Sequence, residues 1–298
     1  MSVVTNKFNL PETFERFQKK NSHSSGGADI TVTSLIDSPQ VFRLRREYSS
    51  QRVEDVSDNV MSIIGTAVHK VMEEGAPAHY IVEERMHATV DGLRISGAID
   101  IQIPNEDNSS FTISDYKTCS SMNLSYNPSG KPEWTAQLNS YAALARLNGK
   151  SVHALEVIAI CRDWTRSGTK RYNNYPESAV VRIEIPLWDE KKAYAYLEER
   201  VAQHTGGANI QCSDEETWLK GSRWAVMKEG RKSAVRLFDS EGEAASFIEE
   251  TSRNFPINKS NPVLTMIERP GEATRCEGNY CGVRDWCKQY GSSDPLFE

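Results

Sequence analysis

The chain has 298 residues, 38% of them hydrophobic and 26% charged, a mixture that excludes a disordered or collagen-like polymer and fits one large or two small folded domains. Lys and Arg number 35 against 41 Asp and Glu, a formal charge of −6, so no global positive field draws the protein to a polyanion; such a partner has to be met by a local basic patch or a metal. No apolar run approaches the ~18 residues of a membrane span, and Met1–Leu10 lacks a charged-then-apolar leader pattern, which sets a cytoplasmic, membrane-free protein as the expectation.

Residues 1–30 are polar, and Ser22, Ser24, Ser25, Gly26 and Gly27 mark them as a flexible segment, with the fold beginning near Thr31. A helix is predicted over Thr33–Tyr48, carrying Arg43, Arg45 and Arg46 in its late turns. A second follows, in which Val60, Ile63, Ile64, Ala67, Val68, Val71 and Met72 repeat at helical spacing between Ser57 and Asp58 as caps and Gly75 as the stop. His69 and Glu73 flank that apolar stripe.

From Tyr80 the period becomes that of strands. Tyr80–Val90 and Leu93–Ile103 flank Asp91-Gly92, a type I′ hairpin signal, and Phe111–Tyr116 gives a third strand. Pro132 opens a helix reaching Asn148, with Trp134, Leu138, Tyr141, Ala142 and Ala145 on one side. Strands at His153–Cys161 and Ala179–Ile185 and a helix over Asp189–His204 follow. After Gly206-Gly207, Trp224–Lys228 and Ser233–Phe238 read as a hairpin and Glu241 opens a helix. This order describes a mixed α/β fold: residues 31–205 form the core, 206–258 a hairpin/helix insert and 259–298 a Cys-rich tail packing on the core.

Two strand ends carry chemistry. Ile95-Ser96-Gly97-Ala98-Ile99-Asp100 is followed, after a turn, by Ile113-Ser114-Asp115-Tyr116-Lys117-Thr118. Carboxylates at adjacent strand ends make a hard-oxygen site for Mg²⁺ or Mn²⁺, and alternation puts Asp115 and Lys117 on one face. An Asp-x-Lys triplet alone arises roughly once by chance in a chain of this length, and Asp189-Glu190-Lys191 repeats it at a helix start without a partner carboxylate. Context selects Asp115. Gln137 and Tyr141, one helical turn apart, reach one spot, and His69 can offer an imidazole nitrogen to Mn²⁺.

Together these residues resemble the PD-(D/E)XK nucleases of the RecB type, through Gly65-Thr66-Ala67-Val68-His69, Gly97-Ala98-Ile99-Asp100, Asp115-Tyr116-Lys117-Thr118 and Gln137-Leu138-Asn139-Ser140-Tyr141, in that family's order. The resemblance implies a restriction-endonuclease-like mixed sheet flanked by helices. It implies a metal held by His69, Asp100, Asp115 and the Tyr116 carbonyl, Lys117 acting on the attacking water, and Gln137 and Tyr141 supporting the site or touching the DNA backbone. Either Glu83 or Glu84 adds a carboxylate through water, since consecutive strand residues point to opposite faces.

Cys276, Cys281 and Cys287 fall within twelve residues near the C-terminus, a metal-like clustering in a reducing compartment. The tail resembles that of the iron-sulfur nucleases related to AddB and the CRISPR-associated RecB-like enzymes, in which a further cysteine precedes the first helix; here Asp37-Ser38-Pro39 stands in its place. Cys212 completes a set of four, suited to [4Fe-4S] or Zn²⁺, and three thiols packing with Trp286 are the plain alternative. Cys119 and Cys161 read as structural.

Positive surface for a substrate is offered by the first-helix arginines or by Lys228, Arg231, Lys232 and Arg236 of the hairpin, beside Trp224 and Phe238. Gly149-Lys150-Ser151 lacks the earlier glycine of a phosphate-binding loop, with Leu144 in its place. The expectation is therefore a Mg²⁺- or Mn²⁺-dependent exonuclease acting on single-stranded or duplex DNA ends in recombination, replication or foreign-DNA processing. Phage-encoded forms, working in the host cytoplasm, and a recombination or replication partner protein belong to it. A catalytically silent nucleic-acid-binding module and a zinc-stabilised partner scaffold are the competing readings.

Overall fold

A computed structural model describes residues 2–20, 24–207, 210–254 and 263–291; Ser22 and the boundary expected near residue 258 lie outside the described residues. The chain divides into two compact units, Met1–Ile210 and Gln211–Glu298.

In the first unit β1 (Val3–Thr5) and α1 (Glu12–Lys20) lead into β2 (Ile30–Thr31), α2 (Val32–Leu35), α3 (Pro39–Glu47) and β3 (Val53–Asp55). Of the segment 1–30, expected to be flexible, the described residues 2–20 and 24–30 include β1 and α1. β1 pairs in parallel with β3, and the buried Asp55 carboxylate accepts from the Lys7 amide at 2.8 Å, Ser57 Oγ at 2.7 Å and Thr5 Oγ1 at 2.8 Å. The Ser24–Gly27 turn is held by Ser96 Oγ, which donates to the Ser25 carbonyl at 2.6 Å. The single helix predicted over Thr33–Tyr48 is two. Pro39 takes the first position of α3 and keeps Ser38 out of helical backbone, while Ser38 caps α3 by accepting the Val41 amide at 3.4 Å.

α4 (Val60–Glu74) stops at Gly75 as its pattern predicts. β4 (Ile81–Val90) and β5 (Leu93–Pro104) form the predicted hairpin, with Asp91 and Gly92 at φ +46° and +81°, the left-handed pair of a type I′ turn. β6 (Phe111–Cys119), α5 (Ser121–Tyr126), α6 (Pro132–Leu147), β7 (Val152–Cys161), α7 (Gly168–Arg171), β8 (Val180–Ile185) and α8 (Glu190–Thr205) complete the unit. The central sheet runs β2-β5-β6-β7-β8, with β4 also on β5. It is mixed: β6 and β7 are parallel, while β4–β5, β5–β6 and β7–β8 are antiparallel.

A parallel pair needs a crossover, and α6 supplies it. Expected to bury one side, α6 buries Trp134 and every residue from Gln137 to Ala145, because it packs on strands of the sheet and on α2 and α8. Leu138 and Leu144, both fully buried, contribute about 2–3 kcal/mol each by leaving water. The apolar stripe of α4 behaves differently. Resting on β5 and β6, it leaves Met61 and Val71 53% and 58% exposed.

The second unit contains α9 (Asp214–Thr217), β9 (Leu219–Lys220), β10 (Arg223–Lys228), β11 (Arg236–Phe238), α10 (Glu241–Arg253), β12 (Leu264–Arg269), β13 (Glu272–Ala273), α11 (Thr274–Glu277) and α12 (Lys288–Gly291). The predicted hairpin is present, with Trp224 opposite Phe238. β12 joins its other edge, Met266 opposite Val226, so a segment assigned to the tail shares a sheet with the insert. Phe238 packs on Phe247 of α10 at 5.2 Å with Arg236 over both rings. Phe238, one of the two aromatics expected to meet bases, is used inside the unit.

Candidate metal centre

The site begins where a ladder ends. β5 and β6 pair as far as Ile101 opposite Ser114; in that register the next pair is Asp100 and Asp115. There the Tyr116 amide donates to Asp100 Oδ2 at 3.0 Å, a side-chain acceptor serving a backbone donor that the ladder does not. Both aspartates line one cleft of about 680 Å³, together with His69, Glu83, Lys117, Gln137 and Tyr141.

His69 Nδ1 lies 3.3 Å from Asp100 Oδ2, and the hydrogen bond to Asp100 holds the imidazole pKa above its ordinary value against the opposing effect of burial. Ligand atoms of His69, Glu83 and Asp100 lie within 4.8 Å of one another. The two adjacent glutamates divide as alternation requires. Glu84 turns to Lys150 and accepts from Gln102 Nε2 at 2.5 Å, whereas Glu83 joins the cleft. Glu83 has φ +51° in mid-strand, a conformation worth of order 1–3 kcal/mol of strain that clusters at functional sites. Burial, then the Asp100 charge, raises its pKa.

Asp115 is 2% exposed. Lys117 Nζ stands 2.7 Å from its Oδ2, yet the same oxygen has no hydrogen bond of acceptable angle; we read the pair as a charge contact that leaves the oxygen's lone pairs unsatisfied. Burial pushes the Asp115 pKa up to about 6, outweighing Lys117, with Asp100 adding to the rise. A buried orphan oxygen beside two further carboxylates and an imidazole fits a small divalent cation of the Mg²⁺ or Mn²⁺ class.

Gln137 Nε2 donates to Tyr141 Oη at 2.8 Å, and both side chains are buried. Burial holds the phenol pKa above its usual range, so Tyr141 keeps its proton. Gly97 makes room for this ring: a Cβ there would fall 2.7 Å from Tyr141 Cε1. His69, Asp100, Asp115, Lys117, Gln137 and Tyr141 line this one cleft, and Tyr116 is tied to it through its amide on Asp100. Of the two glutamates expected as alternatives, Glu83 is the one in the cleft.

The thiols lie in the other unit. Cys281 is buried, and burial followed by the charges of Cys281 and Cys287 raises the Cys276 pKa. Gln289 clamps the Cys212 backbone, accepting from its amide at 2.8 Å and donating to its carbonyl at 3.0 Å. Among the described residues no three thiols come within 4.8 Å of one another. Cys119 and Cys161 face each other across β6 and β7 in the core, and burial pushes the Cys119 thiol up to about 12.

The chain belongs to the PD-(D/E)XK nuclease superfamily, whose sequence model matches residues 74–288. The match spans Asp100 through Tyr141 and begins after His69. With membership come a restriction-endonuclease-like fold and a metal-dependent nuclease with DNA as substrate. A solved structure described as "Crystal structure of SSO0001" is similar at 18% identity, covering 70% of this chain and 86% of that one with a TM-score of 0.44. No curated protein matches the chain. No helix among the described residues is long and apolar enough to cross a membrane.

Proposed function

We propose that the protein is a Mg²⁺- or Mn²⁺-dependent DNA exonuclease of the RecB type, acting on strand ends in recombination, replication or foreign-DNA processing. The observation that carries this reading is the convergence of His69, Glu83, Asp100 and the orphaned Asp115 oxygen beside Lys117 in one cleft. His69, Asp100, Asp115 and the Tyr116 carbonyl hold the ion, and Glu83 contributes directly or through water. A cation there supplies neutralisation of phosphoryl oxygens and acidification of water.

The chain's own groups do the rest. Lys117 Nζ donates to the attacking water and fixes its line of approach to phosphorus, while its charge offsets the negative charge that grows on the phosphoryl oxygens. Tyr141 Oη, accepting from Gln137, keeps its own proton to donate to a backbone phosphate oxygen. Asp115, once ionised, steadies the ammonium of Lys117. Residues 31–205 carry this chemistry.

In the second unit we assign Cys212, Cys276, Cys281 and Cys287 to one iron-sulfur cluster, on the resemblance of the tail to that of the iron-sulfur nucleases, with Zn²⁺ as the alternative for the same four thiolates. Gln289 presets Cys212 for that role. A phage-encoded form working in a host cytoplasm, with a replication or recombination partner, is the setting this assignment favours. The test is hydrolysis of 5′- and 3′-labelled single- and double-stranded DNA with Mg²⁺ or Mn²⁺, wild type against Asp115→Ala. Stepwise release of nucleotides from one end by the wild type alone is expected; internal cuts overturn the exonuclease, and equal activity of both proteins overturns the site. Absorbance near ~400 nm after anaerobic purification tests the cluster.

A further inference from the structure

The metal set leaves one cation of the cleft without an acidic partner. Arg85 lies on β4 opposite Ala98, two residues beyond Glu83, and lines the same cleft, half-buried. The other two cations lining the cleft are paired: Arg45 with Asp37 at 3.5 Å and Lys117 with Asp115 at 2.7 Å. Among the described residues no carboxylate stands within ion-pair range of Arg85. Its hydrogen bond runs from Nη1 to Ser96 Oγ at 3.1 Å, which leaves most of the guanidinium's N–H donors available to a ligand.

The side chain is also held in place. Ser96 Oγ is anchored on the Ser25 carbonyl at 2.6 Å, and His87 Nε2 lies 3.0 Å from the Gly26 carbonyl. Gly26 has φ +60°, and a Cβ on it would fall 2.4 Å from Arg85 Cδ. The turn therefore presses on the arginine stem at a distance that glycine permits, and the fork is pre-set rather than free to swing. Glu83, in the same cleft, feels the charge of Arg85 without pairing with it; a half-buried guanidinium outside an ion pair is stabilised by an anion that it can grip with two parallel bonds, and phosphate is the oxyanion of that shape.

We propose that Arg85 is the seat of a phosphate group of the nucleic-acid strand, the one adjoining the phosphate that is cut. Two strand residues span about 6.6 Å, which sets Arg85 one step along from the carboxylate cluster at Glu83. The phosphate is a backbone diester or the monoester of a strand end. This assignment rests on the nuclease reading above.

The test uses full-length protein and single-stranded oligonucleotides bearing a 5′-phosphate, a 3′-phosphate or neither. Affinity is measured over a salt series in an Asp115→Asn background, and KM and kcat in the active protein. Arg85→Met, which keeps an apolar stem against Gly26, is expected to raise KM about tenfold with kcat within about threefold. It should also flatten the log–log salt dependence by about one ion. Arg85→Lys should keep the salt slope, and so should Ser96→Ala, which removes the anchor but not the charge. A loss confined to one phosphorylated end identifies a monoester, and an equal loss on all three substrates a diester; both support the seat. An unchanged KM and salt slope in Arg85→Met overturns it, as does an equal loss in Ser96→Ala, which marks a structural clamp. If the wild type cuts no DNA the nuclease reading falls, and the salt slope still decides the fate of Arg85. Should Arg85→Met fail to fold, a flattened slope in Arg85→Lys overturns the proposal and an unchanged one supports it.

Discussion

Asp115-Tyr116-Lys117 and Asp189-Glu190-Lys191 are the same triplet in two places, and the fold gives them unrelated work. Asp189 stands at a helix start, where its carboxylate accepts the Lys192 amide at 2.8 Å and caps α8. Asp115 is enclosed at a strand end, with Lys117 at 2.7 Å and an oxygen left without a hydrogen bond. An exposed carboxylate beside orphan amides is satisfied by the chain itself. A buried one in the cleft of Asp100, Glu83 and His69 is not, and a proton or a cation offsets its charge.

The contrast breaks most visibly by mutation. Asp115→Ala is expected to lower kcat on the order of a thousandfold or more, whereas Asp189→Ala leaves kcat unchanged and costs about 1 kcal/mol of stability through the lost cap; nuclease assays beside denaturant melts read both. Equal effects would dissolve the distinction. Glycines of the two matching motifs sharpen it further. Gly97→Ala drives a Cβ to 2.7 Å from the Tyr141 ring and should cost about 1–3 kcal/mol, with lowered activity. Gly65→Ala, in mid-helix with its Cβ at an ordinary 3.8 Å from Thr118 Oγ1, should raise stability by about 0.5–1 kcal/mol.

Protons compete with the cation for the buried site. Because the folded-state pKa of Asp115 is raised to about 6, the metal-free fold binds this proton more tightly than the unfolded chain does. Its stabilising contribution is full below the ordinary carboxylate pKa and is lost as pH rises toward 6. Mn²⁺ affinity should run the other way, weakening as pH falls below about 6, with the raised His69 acting in the same sense. Calorimetry from pH 5 to 8 measures it. The smallest effect is at the N-terminal strap. Asp55→Asn removes an acceptor whose pKa the Lys7 amide and Ser57 hold well below the carboxylate range, and faster amide exchange at Val3–Thr5 with unchanged nuclease activity is the expected result.

What the sequence disclosed follows from range. Asp100, Asp115 and Lys117 sit in short runs on strongly periodic strands, so alternation put them at one rim, and the resemblance of four ordered motifs joined Gln137 and Tyr141 to them. Glu83 and Glu84 were indistinguishable because the choice depends on strand register, and the left-handed backbone at Glu83 leaves no compositional mark. The N-terminal strand was invisible for another reason: it is held by Asp55, far along the chain, and polar composition says nothing of that acceptor. Helix α6 showed one apolar side in its pattern but buries every residue from Gln137 to Ala145, which its polar Asn139 and Ser140 tolerate by bonding the Thr135 and Ala136 carbonyls.

The central claim is that one cation sits among His69, Glu83, Asp100 and Asp115. Anomalous diffraction at the manganese edge, from crystals grown with Mn²⁺, tests it most directly. The account predicts a peak bounded by these four side chains and absent from Asp115→Ala crystals; a peak elsewhere, or none at saturating Mn²⁺ above pH 7, would contradict it.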